Sequence, residues 1–396
     1  MTAERGVAMT QALYYENPPI LRWTTEIIER REREGRVHVV LAETAFYPEG
    51  GGQPADGGTI AGLAVEMVYQ EDAKVFHVLE RDPGQGQVQC EVDSERRWHH
   101  MQHHSGQHLL SAVWESDYQC QTIGFHLGER YATIDLTGPE LEAGWLAAVE
   151  RRVNRKIHED LPIVTHSIPS HERRNYSIRG GDDFVGPVRL VQIADLDDSP
   201  CCGTHVTSTG QIGLVKLLKT ERVRGCTRIY FVCGMKALED YQAKDQIVRA
   251  LCARYSTGEA DLLQRIEGDE RRLQELTREH RELRQLWLTL QAQTWAVGKR
   301  IVEADVCEPD DASVLAKAIL DAGAEVAVVR CGQRLFVQHN GDLDWHFGQF
   351  IRSEGVKFGG RGGGSGSAAQ AYFHDPEQLE HFAAHLKSAL EGSDDE

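Results

Sequence analysis

Five histidines stand in the stretch "HHMQHHSGQHLLSAV" (99–113) and form three pairs spaced by four: His99 with His103, His100 with His104, and His104 with His108. Residues four apart share one face of a helix, so each pair could turn two imidazoles toward one ion. The spacing does not choose among the three frames, and two donors do not make a metal centre. A second half-site stands in "DSPCCGTHVTSTGQIG" (198–213), where Cys201 and His205 are four apart, after Pro200 and interrupted by Gly203. A thiolate and an imidazole joined by a turn, with two imidazoles from a helix, give the nitrogen and sulfur set that zinc accepts; iron and copper suit it less well. Cys202, three residues before His205, is a competing thiol. The helix reads H-S-G-Q-H, so it lacks the glutamate general base of the H-E-x-x-H zinc peptidases.

These residues need a helix, a turn and a scaffold that brings them together. Up to about residue 95 short alternating segments such as "RVHVVLAE", "GTIAGLAVEMVYQ" and "KVFHVLE" are divided by Gly, Pro and Asp, which predicts a small β-rich module over 1–95. Residues 96–235 mix helical stretches, around 98–116 and 139–158, with strands such as "YATIDL" and "TRIYFVCG", as an α+β domain would. Residues 236–297 turn helical and charged. There Leu262, Ile266, Leu273, Leu276, Leu283, Trp287 and Leu290 follow a spacing of three and four, interrupted by Asp269 and His280. Ser256-Thr257-Gly258 predicts a break, hence two helices forming a linker or dimerisation arm. Residues 298–396 alternate strand and helix patterns, as a small α/β domain would, and end in a tail, "EGSDDE", expected to be disordered. The expected fold class is α+β: an N-terminal β-barrel-like module, an α+β domain, a helical linker and a small α/β C-terminal domain.

A chain of 396 residues with no apolar run of membrane-spanning length and an opening without a secretory pattern predicts a cytoplasmic protein of several domains. Nine cysteines without framework spacing suit a reducing compartment, where thiols are free or bind metal. The net charge of −18 argues against nucleic-acid binding through bulk charge. Two local stretches run the other way: 151–179 carries seven Arg/Lys against three Asp/Glu, and 216–230 five against one. Both are candidate phosphate-contacting faces. Neither glycine-rich stretch, "EGGGQPADGG" or "GGRGGG", carries a P-loop lysine followed by Ser/Thr, so nucleotide hydrolysis has little support.

The segments "HSGQHLLSAV" and "CCGTHV" resemble the paired H-x-x-x-H and C-x-x-x-H motifs of the alanyl-tRNA editing family, which comprises the editing domain of alanyl-tRNA synthetase and the free-standing AlaX proteins. The resemblance selects His104, His108, Cys201 and His205 as ligands of Zn2+ and leaves His99, His100 and His103 outside the set. "TAFYPEGGGQPADGG" (44–58) is similar to the family's glycine-rich motif, implying that Gly50, Gly51, Gly52 and Gln53 bind substrate. "QTIGFHLG" (121–128) resembles the segment that lines the amino-acid pocket, which implies Thr122 and His126 as groups facing the substrate. The stretch from 298, with "GGRGGG", resembles the DHH-associated domain that follows editing in the synthetase, implying Arg361 as a tRNA contact. This arrangement is that of the long form of AlaX. No segment resembles an aminoacylation core. The resemblance implies an ATP-independent trans-editing hydrolase that deacylates mischarged seryl-tRNA-Ala, and glycyl-tRNA-Ala as a second substrate, with tRNA-Ala as partner, no membrane and a homodimer permitted by the long helices. The alternative is a tRNA-binding protein that keeps a structural zinc and does not hydrolyse. One departure is Cys202, where the family usually has glycine.

Overall fold

Twelve residues of one long strand start the first sheet, and a computed structural model shows why a single strand can serve two neighbours. The structure describes residues 10–16, 19–176, 178–179, 187–306 and 308–392; the last residues of the acidic tail lie outside these. Strand β1 (Arg22–Arg33) pairs through its first half with β6 (Gln87–Val92) and through its second half with β2 (Arg36–Leu41), and its register shifts between Ile27 and Glu29. Such a shift bends a strand and strengthens its twist. With β3 (Gly58–Ile60), β4 (Leu63–Glu71) and β5 (Lys74–Leu79) the strands close in the order β1-β2-β5-β4-β3-β6. Val39, Leu41, Phe46, Ile60, Val68 and Leu79 fill the interior.

Helix α1 (Ser94–Tyr118) follows at once. Asp93 caps it by accepting the Arg96 backbone N–H at 3.0 Å, and Gln119 ends it in the left-handed conformation at φ 56°. Every residue from His100 to Trp114 is buried. A helix covered all round must find partners for its polar side chains inside the protein. Arg97 does so with Asp56, Gln102 with the Gln211 carbonyl and His103 with the Cys233 backbone N–H.

Strands β7 (Gln121–Leu127) and β8 (Ala132–Thr137), helix α2 (Trp145–His158), strands β9 (Ile163–Ile168), β10 (Val188–Ile193) and β11 (Asp197–Pro200), and strands β12 (Val215–Val223) and β13 (Cys226–Cys233) complete this region. They form a four-stranded sheet, β12-β13-β8-β7, and a three-stranded one, β9-β10-β11. Leu109, Leu110, Val113 and Trp114 of α1 pack with Val149 and Val153 of α2 and with Ile134, Ile229 and Phe231 of the sheet. Helix α2 starts six residues later than the sequence pattern suggested, because Gly144, at φ 91°, stands just before it.

Helix α3 (Gly234–Tyr255) ends at Ser256, whose φ is 51°, and a separate helix α4 (Leu262–Ala296) follows. The chain divides into two units, Met1–Ala250 and Leu251–Glu396. In the second, β14 (Ile301–Asp305), α5 (Pro309–Asp321), β15 (Val326–Cys331), β16 (Arg334–His339), α6 (Phe347–Glu354), β17 (Gly360–Gly364), β18 (Ala368–Phe373) and α7 (Pro376–Gly392) build a five-stranded sheet in the order β14-β15-β16-β18-β17. One face packs on α6 and α7; the other, at β14 and β15, packs on α5 and the end of α4. The architecture is mixed α+β, with seven α-helices among the described residues. None of these is long and apolar enough to cross a membrane.

Candidate metal centre and substrate cleft

Helix α1 presents His104 and His108 one turn apart, with ring centroids separated by 5.4 Å. The turn after β11 brings Cys201 and His205 against them. Cys201 Sγ lies 3.3 Å from His104 Nε2 and 3.3 Å from His205 Nε2, and the four donor atoms all lie within 4.8 Å of one another. Bonds of about 2.0 to 2.3 Å at tetrahedral angles would separate nitrogen from sulfur by roughly 3.5 Å. The buried cluster could therefore hold a metal ion.

What lies behind the rings supports that fit. Gln53 Oε1 accepts the Thr204 backbone N–H at 3.1 Å, which fixes the amide, and lies 2.8 Å from His104 Nδ1. Asp197 Oδ2 lies 3.1 Å from His108 Nδ1, and Ser105 Oγ lies 3.1 Å from His205 Nδ1. An acceptor at Nδ1 selects the tautomer whose Nε2 lone pair is free. Asp197 is itself held by Arg179, whose Nε donates at 2.7 Å, and by the Ser199 hydroxyl. Gly203 leaves room for this packing, because a Cβ there would strike the His104 ring. Arg189 ties the turn by donating to the carbonyls of Cys201, at 2.7 Å, and Gly203, at 3.0 Å.

The electrostatics agree. Burial opposes ionisation of the Cys201 thiol, but His104 and His205 outweigh it and hold the thiol well below its ordinary range, in the thiolate form that binds metals. Burial lowers His205 to about 3, which keeps its ring neutral. For His108 burial also opposes the charge, yet the hydrogen bonds to Asp197 and Cys201 raise it to about 9. A metal would have to displace that proton. Burial would raise Asp197, but its bonds to His108 and Arg179 win and bring it to about 2.

The cluster opens on a cleft of about 990 Å³ lined by Gly51, Gln107, Thr122, Phe125, Arg179 and Arg189, among others. Gly50 and Gln53 close a tight turn through two backbone hydrogen bonds of 3.1 and 3.0 Å, and Gly51 and Gly52 take the positive φ angles of 58° and 80° that it requires. A Cβ on Gly52 would meet the Phe125 backbone. Gly51 lines the cleft, whereas Gln53 is fully buried behind His104.

Thr122 lines the cleft and its Oγ1 lies 2.6 Å from Ser111 Oγ, which accepts from Gln107 Nε2 at 2.9 Å. His126 does not join it. A regular strand would put both on one face, but the register between β7 and β8 shifts so that Thr122 opposes Leu136 and Gly124 opposes Asp135. The extra residue, Ile123, reverses the alternation: Thr122 faces α1 with Phe125 and Leu127, and His126 is turned to the opposite, exposed face. Cys202 is exposed and outside the cluster, with its carbonyl accepting from the Tyr15 hydroxyl at 3.1 Å. His103 pins α1 to β13, and His99 and His100 pack beside it. Arg361 stands exposed on β17 in the second unit, opposite Tyr372 of β18. The sequence pattern missed Gln107, Ser111, Arg179, Arg189 and Asp197. Only Asp197, an acidic residue four before Cys201, had a spacing that could have drawn attention.

The turn-borne Cys/His pair lies in a recognised stretch: residues 188–230 match the family described as the threonyl and alanyl tRNA synthetase second additional domain. The chain is 37% identical over 229 residues to the alanyl-tRNA editing protein Aarsd1 of Mus musculus, covering 57% of this chain and 56% of that one. It is 36% identical over 243 residues to the alanyl-tRNA editing protein AlaX-L of Pyrococcus horikoshii, covering 58% and 59%. Against the alanine–tRNA ligase of Ignicoccus hospitalis it is 28% identical over 404 residues, 98% of this chain and 44% of the ligase. The chain is thus a homologue of the alanyl-tRNA editing proteins of the AlaX-L type, and its matches span a little under three-fifths of the length of the two editing proteins.

Proposed function

We propose that the chain is an aminoacyl-tRNA hydrolase that edits in trans, cleaving the ester of seryl-tRNA-Ala and, as a second substrate, glycyl-tRNA-Ala, to release the amino acid and free tRNA-Ala without ATP. The observation that carries this reading is the buried three-histidine, one-cysteine set at the floor of a cleft of about 990 Å³, large enough for an amino acid and the nucleoside that bears it. The donor set fits Zn2+, with His104, His108, Cys201 and His205 as ligands. When bound, zinc supplies a positive centre that polarises an ester carbonyl or water.

The chain's own residues bind and orient. Gly51 and its turn let the backbone come close to the ligand. Arg179 and Arg189 add positive potential on the same wall, where the phosphates of a tRNA 3′ end would run. Thr122 offers a hydroxyl beside Ser111 for the serine side chain. Arg361 and its domain contribute to tRNA affinity, and the site of action is the cytoplasm. The division into a 1–95 module, a 96–235 editing domain, a 236–297 linker and a 298–396 domain belongs to the same reading.

Deacylation of purified seryl-, glycyl- and alanyl-tRNA-Ala, with bound metal quantified on the same sample, tests the proposal. Hydrolysis of the first two in preference to the third is expected. A fully metal-loaded protein that binds tRNA-Ala and hydrolyses none of them would instead be a binding protein with a structural zinc.

A further inference from the structure

Residues 201–206, which carry Cys201 and His205, form neither helix nor strand, so their backbone groups need partners from outside the turn. Three consecutive carbonyls have them. Arg189 Nη1 donates to Cys201, at 2.7 Å, and to Gly203, at 3.0 Å, and the Tyr15 hydroxyl donates to the carbonyl between them, on Cys202, at 3.1 Å. The two donors also hold each other, because the guanidinium carbon lies over the Tyr15 ring, 4.3 Å from its centre. Arg189 belongs to β10, which pairs with the strand leading into the turn. Tyr15 comes from much earlier in the chain, from the single helical turn Leu13–Tyr15 that precedes β1.

We propose that Tyr15 is a positioning residue for the metal centre: together with Arg189 it grips the carbonyls of residues 201–203 and so sets where the Cys201 sulfur stands. The inference rests on the ligand set of the proposed function. Contacts within the turn help, through the Gly203 N–H to Cys201 Sγ at 3.3 Å, but the Cys202 side chain is exposed and cannot anchor the turn by packing. Tyr15 is itself fixed from behind. Its ring meets Tyr14 at 4.6 Å between centres and Tyr14 meets Tyr47 at 5.5 Å, both edge to face, and the Tyr47 hydroxyl donates to the Gly50 carbonyl at 3.1 Å. Three tyrosines therefore run from the metal turn to the glycine turn, the two loops that bring Cys201 and Gly51 to the cleft. A turn gripped in this way keeps its thiolate in place when a metal bond breaks, so the bond reforms. A turn released from Tyr15 swings away, and the metal leaves faster.

Cobalt(II), whose charge-transfer absorption reports a thiolate ligand, is the probe, loaded into the full chain and followed as it passes to excess chelator. Tyr15→Phe removes the bond to the Cys202 carbonyl and keeps the ring, and should speed release by about 2- to 10-fold, the worth of one neutral hydrogen bond. Tyr15→Leu removes the ring as well and should speed release by about 10- to 100-fold, with a weaker charge-transfer band. Arg189→Lys leaves no planar guanidinium to lie on the ring, so in that background the difference between Tyr15→Leu and Tyr15→Phe should shrink to less than about twofold. A segment that only covers the surface would change neither the release rate nor the band. Circular dichroism checks that each variant is folded. Wild-type release from Tyr15→Leu overturns the inference, and so does a difference between the two Tyr15 variants that persists undiminished in Arg189→Lys. A wild-type chain that takes up no cobalt overturns the ligand set itself, and this inference with it.

Discussion

His104 Nδ1 and Gln53 Oε1 lie 2.8 Å apart, which joins helix α1 to the glycine turn of the preceding module through one fully buried amide. The same amide donates to the Thr204 hydroxyl at 2.9 Å, so Gln53 braces both half-sites of the cluster. Gln53→Leu should therefore reduce metal affinity by about 10- to 100-fold although Gln53 is no ligand, the usual cost of losing a partner that orients a ligating histidine. Competition against a chromogenic chelator measures it. An unchanged affinity would show that helix packing alone holds the His104 ring.

The ligand frame makes a sharper demand. His104→Ala and Cys201→Ser should lower metal content and deacylation together, since each removes one of four convergent donors. Cys202→Ala, on an exposed thiol, and His99→Ala should leave the metal bound. Elemental analysis of the purified variants decides. Metal lost with His99 and kept without His104 would mean that the histidines were paired in the wrong frame.

Arg97 and Asp56 form an ion pair that is almost wholly buried where α1 meets the first module, and Arg97 also donates to the Ala45 carbonyl at 2.5 Å. Removing one partner strands the other charge away from water. Asp56→Asn should destabilise the chain by about 3 to 5 kcal/mol, against at most about 1 kcal/mol for an exposed pair such as Arg22 with Glu91. Urea unfolding of the two variants gives the comparison, and equal effects would contradict it.

His77 gives the first module a pH dependence. Its ring is fully buried, with Nε2 accepting from the Thr44 hydroxyl at 2.8 Å and Nδ1 donating to the Val39 carbonyl at 3.2 Å, and burial lowers it to about 4. The unfolded chain takes up this proton near pH 6.5, while the folded one resists until about 4. The contribution is thus complete above pH 6.5 and is lost as pH falls toward 4, by roughly 3 kcal/mol for a displacement of this size. Urea midpoints from pH 7 to 4.5 should fall, and less steeply in His77→Phe.

How much of this was legible in the sequence depended on whether the geometry was local. Two residues four apart on a helix stay together whatever the helix packs against, so three candidate histidine pairs could be read in advance, as could the helix break at Ser256, but only the family resemblance picked the His104/His108 frame and set it with Cys201 and His205. Contacts that depend on docking could not. Nothing near Gln53 announces that its amide will reach His104, and the polar residues of α1 look like a solvated face until the helix is seen to be buried on every side. The pairing of Thr122 with His126 failed for a different reason: one extra residue, Ile123, reverses the alternation of a strand, and only the pairing with β8 reveals it.

On the proposed reading, selectivity between serine and alanine rests on one hydroxyl, and Thr122 is the residue proposed to read it. A pocket large enough for serine cannot exclude alanine by size, so discrimination has to come from a polar group left unpaired when alanine enters. Thr122 is half-buried in the cleft wall, and Ser111, anchored by Gln107, fixes its hydroxyl. Thr122→Val keeps the shape and removes the polar contact. Loss of a neutral hydrogen bond worth about 0.5 to 1.5 kcal/mol should lower kcat/KM for seryl-tRNA-Ala by roughly 2- to 10-fold. The rate for alanyl-tRNA-Ala should change less, so the ratio of the two falls. Ser111→Ala should move the ratio in the same direction through the loosened Thr122 hydroxyl, without touching the substrate. If the ratio holds in a metal-loaded Thr122→Val protein, Thr122 does not read the hydroxyl, and Gln107 becomes the next residue to substitute, since it lines the same wall while His126 does not.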